Sequence, residues 1–126
     1  MLYQKWYTSV MPITPLLEVK FYRSNNGSEP VRDWLKSLTQ DERRAIGTDI
    51  KTVQYGWPLG MPLVSHIDKE IWEIRSKLET RIARVLFVTQ PKLIVLLHGF
   101  IKKQQKTPKP DIEIAKNRLK ILKGRI

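Results

Sequence analysis

IWEIRSKLETRIARVLFVTQPKLIVLLHGF, residues 71–100, decides the fold. β-Branched and aromatic residues dominate it, and it divides into three strands: Glu70–Ser76, Thr80–Thr89 and Lys92–Phe100, with Gln90–Pro91 as a tight turn. Links this short join antiparallel neighbours, so the stretch reads as a three-stranded meander. Pleating sends alternate side chains to opposite faces. Trp72 and Ile74 then face one way, while Ile71, Glu73, Arg75 and Lys77 face the other. On the second strand Ile82, Arg84, Leu86 and Val88 share a face, with Arg81 out of phase. On the third, strict alternation puts His98 and Phe100 with Ile94 and Leu96. The meander is expected to gather Arg75, Lys77, Arg81 or Arg84, and His98 in one region.

Outward from the meander, Trp57–Ile67 (WPLGMPLVSHI) holds two prolines and a glycine and reads as a loop, His66 included. Before it lie two helices. Pro30 suits a first-turn position with Ser28 or Glu29 as cap, and Val31, Trp34, Leu35 and Leu38 follow at helical spacing. Thr39 with Glu42 three residues on forms a capping box for the second helix, whose stripe runs through Ala45, Ile46, Ile50 and Val53 to a stop near Gly56. Leu16–Tyr22 is a first strand. After the meander, Lys102–Lys109 reads as a basic, flexible connector. Asp111–Lys123 reads as a third helix with Ile112, Ala115, Leu119 and Leu122 on one face. The predicted order is β-α-α-β-β-β-α: an α+β domain over residues 16–126, preceded by an irregular extension over residues 1–15. The helical hairpin should cover one sheet face and leave the other open to bind. Trp34, Trp57 and Trp72 are read as core rather than as base-stacking platforms.

Composition narrows the function. With 126 residues the chain builds one modest core. It has no cysteine, which excludes disulfides and cysteine–zinc sites, and its two histidines, His66 and His98, are too few for a convincing metal site. No apolar run approaches the roughly 20 residues of a membrane helix, and no export signal is legible at the N-terminus, so a cytoplasmic protein is expected. The net charge is +11. Residues 1–68 hold 8 basic and 7 acidic residues, whereas residues 69–126 hold 15 and 5. An excess gathered in one half is the footprint of a polyanion partner, nucleic acid above all.

A basic cluster of this kind suits cleavage of RNA with no metal or cofactor. The 2′-hydroxyl attacks the adjacent phosphate, so the protein need only move two protons and stabilise a more negative phosphorane. Arginine meets two phosphate oxygens with its planar fork. Histidine transfers protons near neutral pH, and a lysine with a depressed pKa can substitute. Arg75, Arg84, His98 and Lys102 are the catalytic candidates; Lys77, Arg81, Lys103 and Lys106 are the RNA-binding candidates. Each has a plainer reading. Arg75 can pair with Glu73 two residues away, Arg81 and Arg84 can be solubilising strand residues, His98 can be structural, and the lysines can be a solvated face.

The segments IWEIRSKLETRIARVLFV, LIVLLHGFIKKQQKTP and EIAKNRLKIL, in this order and spacing, resemble the phage-related Gp49-like toxins of the RelE/ParE superfamily, often labelled HigB-like. The likeness runs from about Val19 to Leu122. Arg75, Arg84, His98, Lys102 and Lys103 match its motifs; Lys77 and Arg81 come from the face argument alone. The resemblance implies a compact α+β toxin, a cognate antitoxin of helix-turn-helix type, and ribosome-dependent cleavage of mRNA. The chain has no tyrosine close to its C-terminus, which some RelE-like enzymes use. Two other activities fit the same chain: a ParE-like inhibitor of DNA gyrase, and a nucleic-acid-binding module without turnover.

Overall fold

The computed structural model describes residues 16–60 and 62–125; the extension expected over residues 1–15 lies outside them. Its elements are β1 (Glu18–Phe21), α1 (Pro30–Lys36), α2 (Gln40–Gly56), β2 (Val64–Asp68), β3 (Ile71–Lys77), β4 (Ile82–Gln90), β5 (Leu93–Ile101) and α3 (Lys109–Lys123). The α+β class and the RelE-like arrangement agree with the sequence reading, but the order gains a strand. Val64–Asp68, read as loop, pairs antiparallel with β3 as an edge strand. Its prolines, Pro58 and Pro62, all precede the paired residues, so they do not interrupt the ladder. The sheet order is β1-β5-β4-β3-β2, with β1 parallel to β5 and every other pair antiparallel.

Two cores form, one on each face. On the first, Val31 of α1 and Ile46, Ile50 and Val53 of α2 pack on Ile74, Ala83, Val85, Phe87, Ile94 and Leu96. The Thr39–Glu42 capping box starts α2 as expected, with each side chain bonded to the other's backbone N–H. Trp57 meets Trp72 and Phe87 edge-on in this core, at 5.2 and 5.4 Å. The second face is not open: Ala115 and Leu119 of α3 pack on Ile71, Leu86, Val88, Val95 and Leu97. The apolar residues at alternate positions of β3, β4 and β5 give this face a core of its own, and α3 covers it. No helix among the described residues is long and apolar enough to cross a membrane.

A bulge in β5 corrects the face assigned to His98. Leu86 pairs with His98 but Phe87 pairs with Leu96, so β5 carries one residue more than β4 at Leu97. A bulge reverses the alternation beyond it. Leu97 belongs to the α3 side, and His98 and Phe100 follow it there, away from Ile94 and Leu96.

Gly99 then turns toward α1. A Cβ built on it would lie 2.3 Å from Trp34 Cε3, because the indole rests on the strand backbone. Gly99→Ala must displace a packed ring, and should lower stability by about 1–3 kcal/mol. Urea unfolding of the purified variant checks this, and an unchanged midpoint would show that Trp34 does not rest there.

Candidate functional site

The strands of the meander place Arg75 and Arg84 directly opposite each other on the α3 side of the sheet. Two like charges so placed repel. Their environments separate them. Arg84 is buried (3% exposed) against Glu73 (2% exposed), with Nη1 3.3 Å from Glu73 Oε2. Arg75 is half-buried and lines a cleft of about 340 Å³ with Glu73, Arg84, Ser65 of β2 and the loop residues Lys106 and Thr107.

The segment between β5 and α3 is not the flexible connector its composition suggests. Thr107 Oγ1 donates to Glu73 Oε2 (2.5 Å) and accepts from Arg84 Nη1 (2.8 Å), while Arg84 Nη2 donates to the Gln105 carbonyl (2.6 Å). Charge-assisted bonds of this kind are the stronger class, and they hold a segment carrying Lys102, Lys103 and Lys106 over the sheet. Lys102 continues the ladder, its amide donating to the Ile82 carbonyl, and its Nζ donates to Gln105 Oε1 at 3.0 Å. Its pKa sits below the ordinary lysine value, first through desolvation and then through the charges of Arg75 and Arg84, with Glu73 opposing.

The other candidates are placed as follows. Lys77 and Lys103 are exposed beside Lys102 in a neighbouring cleft of about 570 Å³, and Lys77 shares a third cleft with Arg75. Arg81 turns to α2, where it grips Glu42 with two bonds of 2.8 and 2.9 Å. His98 is clasped by α3. Its Nε2 lies 2.7 Å from Asp111 Oδ1, and Arg118 Nη1 lies 3.5 Å from its Nδ1. A guanidinium can only donate, so Nδ1 accepts and Nε2 carries the proton given to Asp111. This neutral form agrees with a pKa pushed below the usual histidine value, where burial outweighs the attraction of Asp111. His66 lies on β2 with its ring 4.6 Å from Trp72, on the hairpin side of the sheet. The structure thus sets Arg75 and Lys106 in one cleft with Arg84 beneath, gathers Lys77, Arg81, Lys102 and Lys103 along the neighbouring one, where Arg81 is also paired with Glu42, and holds His98 apart against α3.

Sequence reasoning passed over Thr107, Gln105, Asp111 and Arg118. A threonine in a lysine-rich stretch and an aspartate in a first helical turn carry no local sign of a long-range partner. Among the described residues, no three His, Asp or Glu side chains converge as metal ligands would.

The Arg81–Glu42 pair has a pH consequence. Arg81 and the helix-start bond hold the Glu42 carboxyl down at about 2, against 4.5 ordinarily. A depressed carboxyl stabilises the fold fully above its unfolded value and loses that contribution as pH falls through the folded one. The stability difference between the parent and Arg81→Met should therefore be largest above pH 4.5 and shrink toward pH 2, as chemical denaturation at a series of pH values would show. A gap independent of pH would mean the pair does not form.

The model of the family described as phage derived protein Gp49-like matches residues 33–120, well over half of the chain and every element of the site. No curated protein matches it. With the α+β fold and the five-stranded sheet just described, the match shows that this chain belongs to the phage-derived Gp49-like family, a RelE/HigB-like family of toxins from toxin–antitoxin pairs.

Proposed function

We propose that this chain is the toxin of a toxin–antitoxin pair, and that it arrests growth by cleaving mRNA on the ribosome. The observation that carries the reading is a run of cations along two adjoining clefts, Arg75 and Lys106 in one and Lys77, Lys102 and Lys103 in the next, with Lys102 close enough to Arg75 and Arg84 for their charges to help lower its pKa. Arg75 would grip the scissile phosphate and stabilise the phosphorane with its fork. Lys102, at a lowered pKa, would exchange a proton with the attacking 2′-hydroxyl or the leaving oxygen. Lys77, Lys103 and Lys106 would bind the flanking phosphates, whose contacts position the strand without reading its sequence. The cognate antitoxin would offer acidic side chains to the same surface, with fast, salt-sensitive association.

Induction of the chain without its antitoxin, followed within minutes by primer extension on cellular mRNA, tests the reading. New 5′ ends inside translated frames, absent when translation is blocked, are expected. Growth arrest with intact mRNA would overturn the nuclease assignment and direct attention to gyrase.

A further inference from the structure

β1 pairs with β5 only as far as Leu96, where the Tyr22 amide donates to the Leu96 carbonyl. Past that point no strand lies against the outer edge of β5 among the described residues. A cleft of about 350 Å³ lies here, lined by Trp34 from the α1 side of the sheet, Phe100 from the α3 side, Gly99 between them, and Lys103, Pro108 and Asp111. Lys103 also lines the basic cleft around Lys102, and that cleft shares Gln105 with the one holding Arg75. Shared lining residues thus link the three clefts in order, from Arg75 past Lys102 to Trp34 and Phe100.

The chemistry of this last cleft differs from the rest. It offers two half-buried aromatic rings where the others offer cations. Phe100 is held flat by His98, the rings 5.4 Å apart and 21° from parallel. Asp111 spends Oδ1 on His98, and its Oδ2 has no hydrogen-bond partner among the described residues. Aromatic rings, a lysine and a carboxylate that can only accept, all lining one cleft, fit one nucleotide: the base stacks on a ring, the phosphate meets Lys103, and an amino-bearing base edge donates to Asp111.

We propose that the Trp34–Phe100 cleft is a base-binding subsite for a nucleotide flanking the scissile phosphate, and that Asp111 makes it favour bases with an exocyclic amine (adenine, cytosine, guanine) over uracil, whose one edge donor, N3–H, lies between two carbonyl oxygens that repel a carboxylate. This rests on the RNA-cleaving reading above. Trp34 serves the core with the face laid on Gly99 and the subsite with what remains exposed.

Single-turnover cleavage on ribosomes programmed with defined codons tests it, varying one nucleotide at a time around the cut. The parent should cleave roughly tenfold more slowly when uracil occupies one particular position, as expected for loss of a hydrogen bond to a charged group. Asp111→Asn keeps an acceptor for His98 but turns the other atom into a donor, which every base can meet with an edge acceptor, so it should erase the preference against uracil at that position. Phe100→Leu keeps the apolar volume without the ring, and its penalty should not add to that of an abasic nucleotide placed there. A preference absent at every position, one unaltered in Asp111→Asn, or additive penalties for Phe100→Leu and the abasic site would each overturn the subsite while leaving the nuclease standing. No cleavage by the parent in any codon context would overturn both.

Discussion

Arg75→Ala should slow mRNA cleavage by about 10²–10³-fold, the usual loss when one preorganised donor to a developing negative charge is removed, and should leave stability within about 0.5 kcal/mol of the parent. The two expectations follow from its position. Arg75 is half-buried at the mouth of the cleft, and its cross-strand neighbour Arg84 is another cation, so truncation relieves repulsion as well as removing a side chain. Arg75→Lys should recover only part of the rate, because an ammonium is a point charge without the planar fork. A second readout separates a charge effect from a packing one. Arg75 is the largest electrostatic contributor to the depressed pKa of Lys102. Without its charge, protonated Lys102 is less disfavoured, so the Lys102 pKa should rise and the pH–rate limb that it governs should move to higher pH. Cleavage rates measured across pH on programmed ribosomes would show both effects. Full activity in Arg75→Ala would remove this residue from the chemistry, and an unmoved limb would remove Lys102.

Why so much of the fold is legible in the sequence is clear from the meander. Strand alternation over Ile71–Lys77 and Ile82–Val88 is regular because each strand carries an apolar set for one core and a mixed set for the other, and the ladder follows it residue for residue. The capping box at Thr39 is equally local, a matter of two side chains three residues apart. What escaped is what depends on residues far apart. β2 has too few residues and too much proline and glycine before it to announce itself, and it exists because β3 offers it an edge. The bulge at Leu97 depends on how β4 and β5 settle against each other, and it alone moves His98 across the sheet. Arg75 and Arg84 look alike in the sequence, both basic residues on strands. The difference between an open cation and a buried one is set by Thr107, 23 residues beyond Arg84, which closes over one and not the other. Glu73, close enough in sequence to seem the partner of Arg75, serves Arg84 instead.

That buried network carries the largest expected effect on stability. Arg84→Ala should destabilise the fold by about 3–5 kcal/mol, because it strands the Glu73 carboxylate in the interior with only Thr107 to solvate it. The loss is a property of broken pairing rather than of missing attraction, and a double variant separates the two. Arg84 Nε is already buried without a hydrogen-bond partner among the described residues, so the native arrangement is incompletely satisfied. Arg84→Met combined with Glu73→Leu removes both charges and keeps the volume, and should recover most of the stability lost in either single variant. Urea unfolding of the four proteins measures the coupling. The functional consequence runs the other way. The double variant, though stable, no longer bonds Thr107 or the Gln105 carbonyl, so the segment bearing Lys102 and Lys106 is released from the sheet. It should stay folded and lose most of its cleavage rate. Thr107→Val, which keeps both charged residues but removes the hydroxyl that bonds them, should show the same loss in milder form, together with faster proteolytic nicking between residues 102 and 108. A stable double variant that cleaves at the parental rate would show that the network serves the core alone. A single Arg84→Ala variant as stable as the parent would mean that this guanidinium faces solvent, where it could meet a phosphate directly.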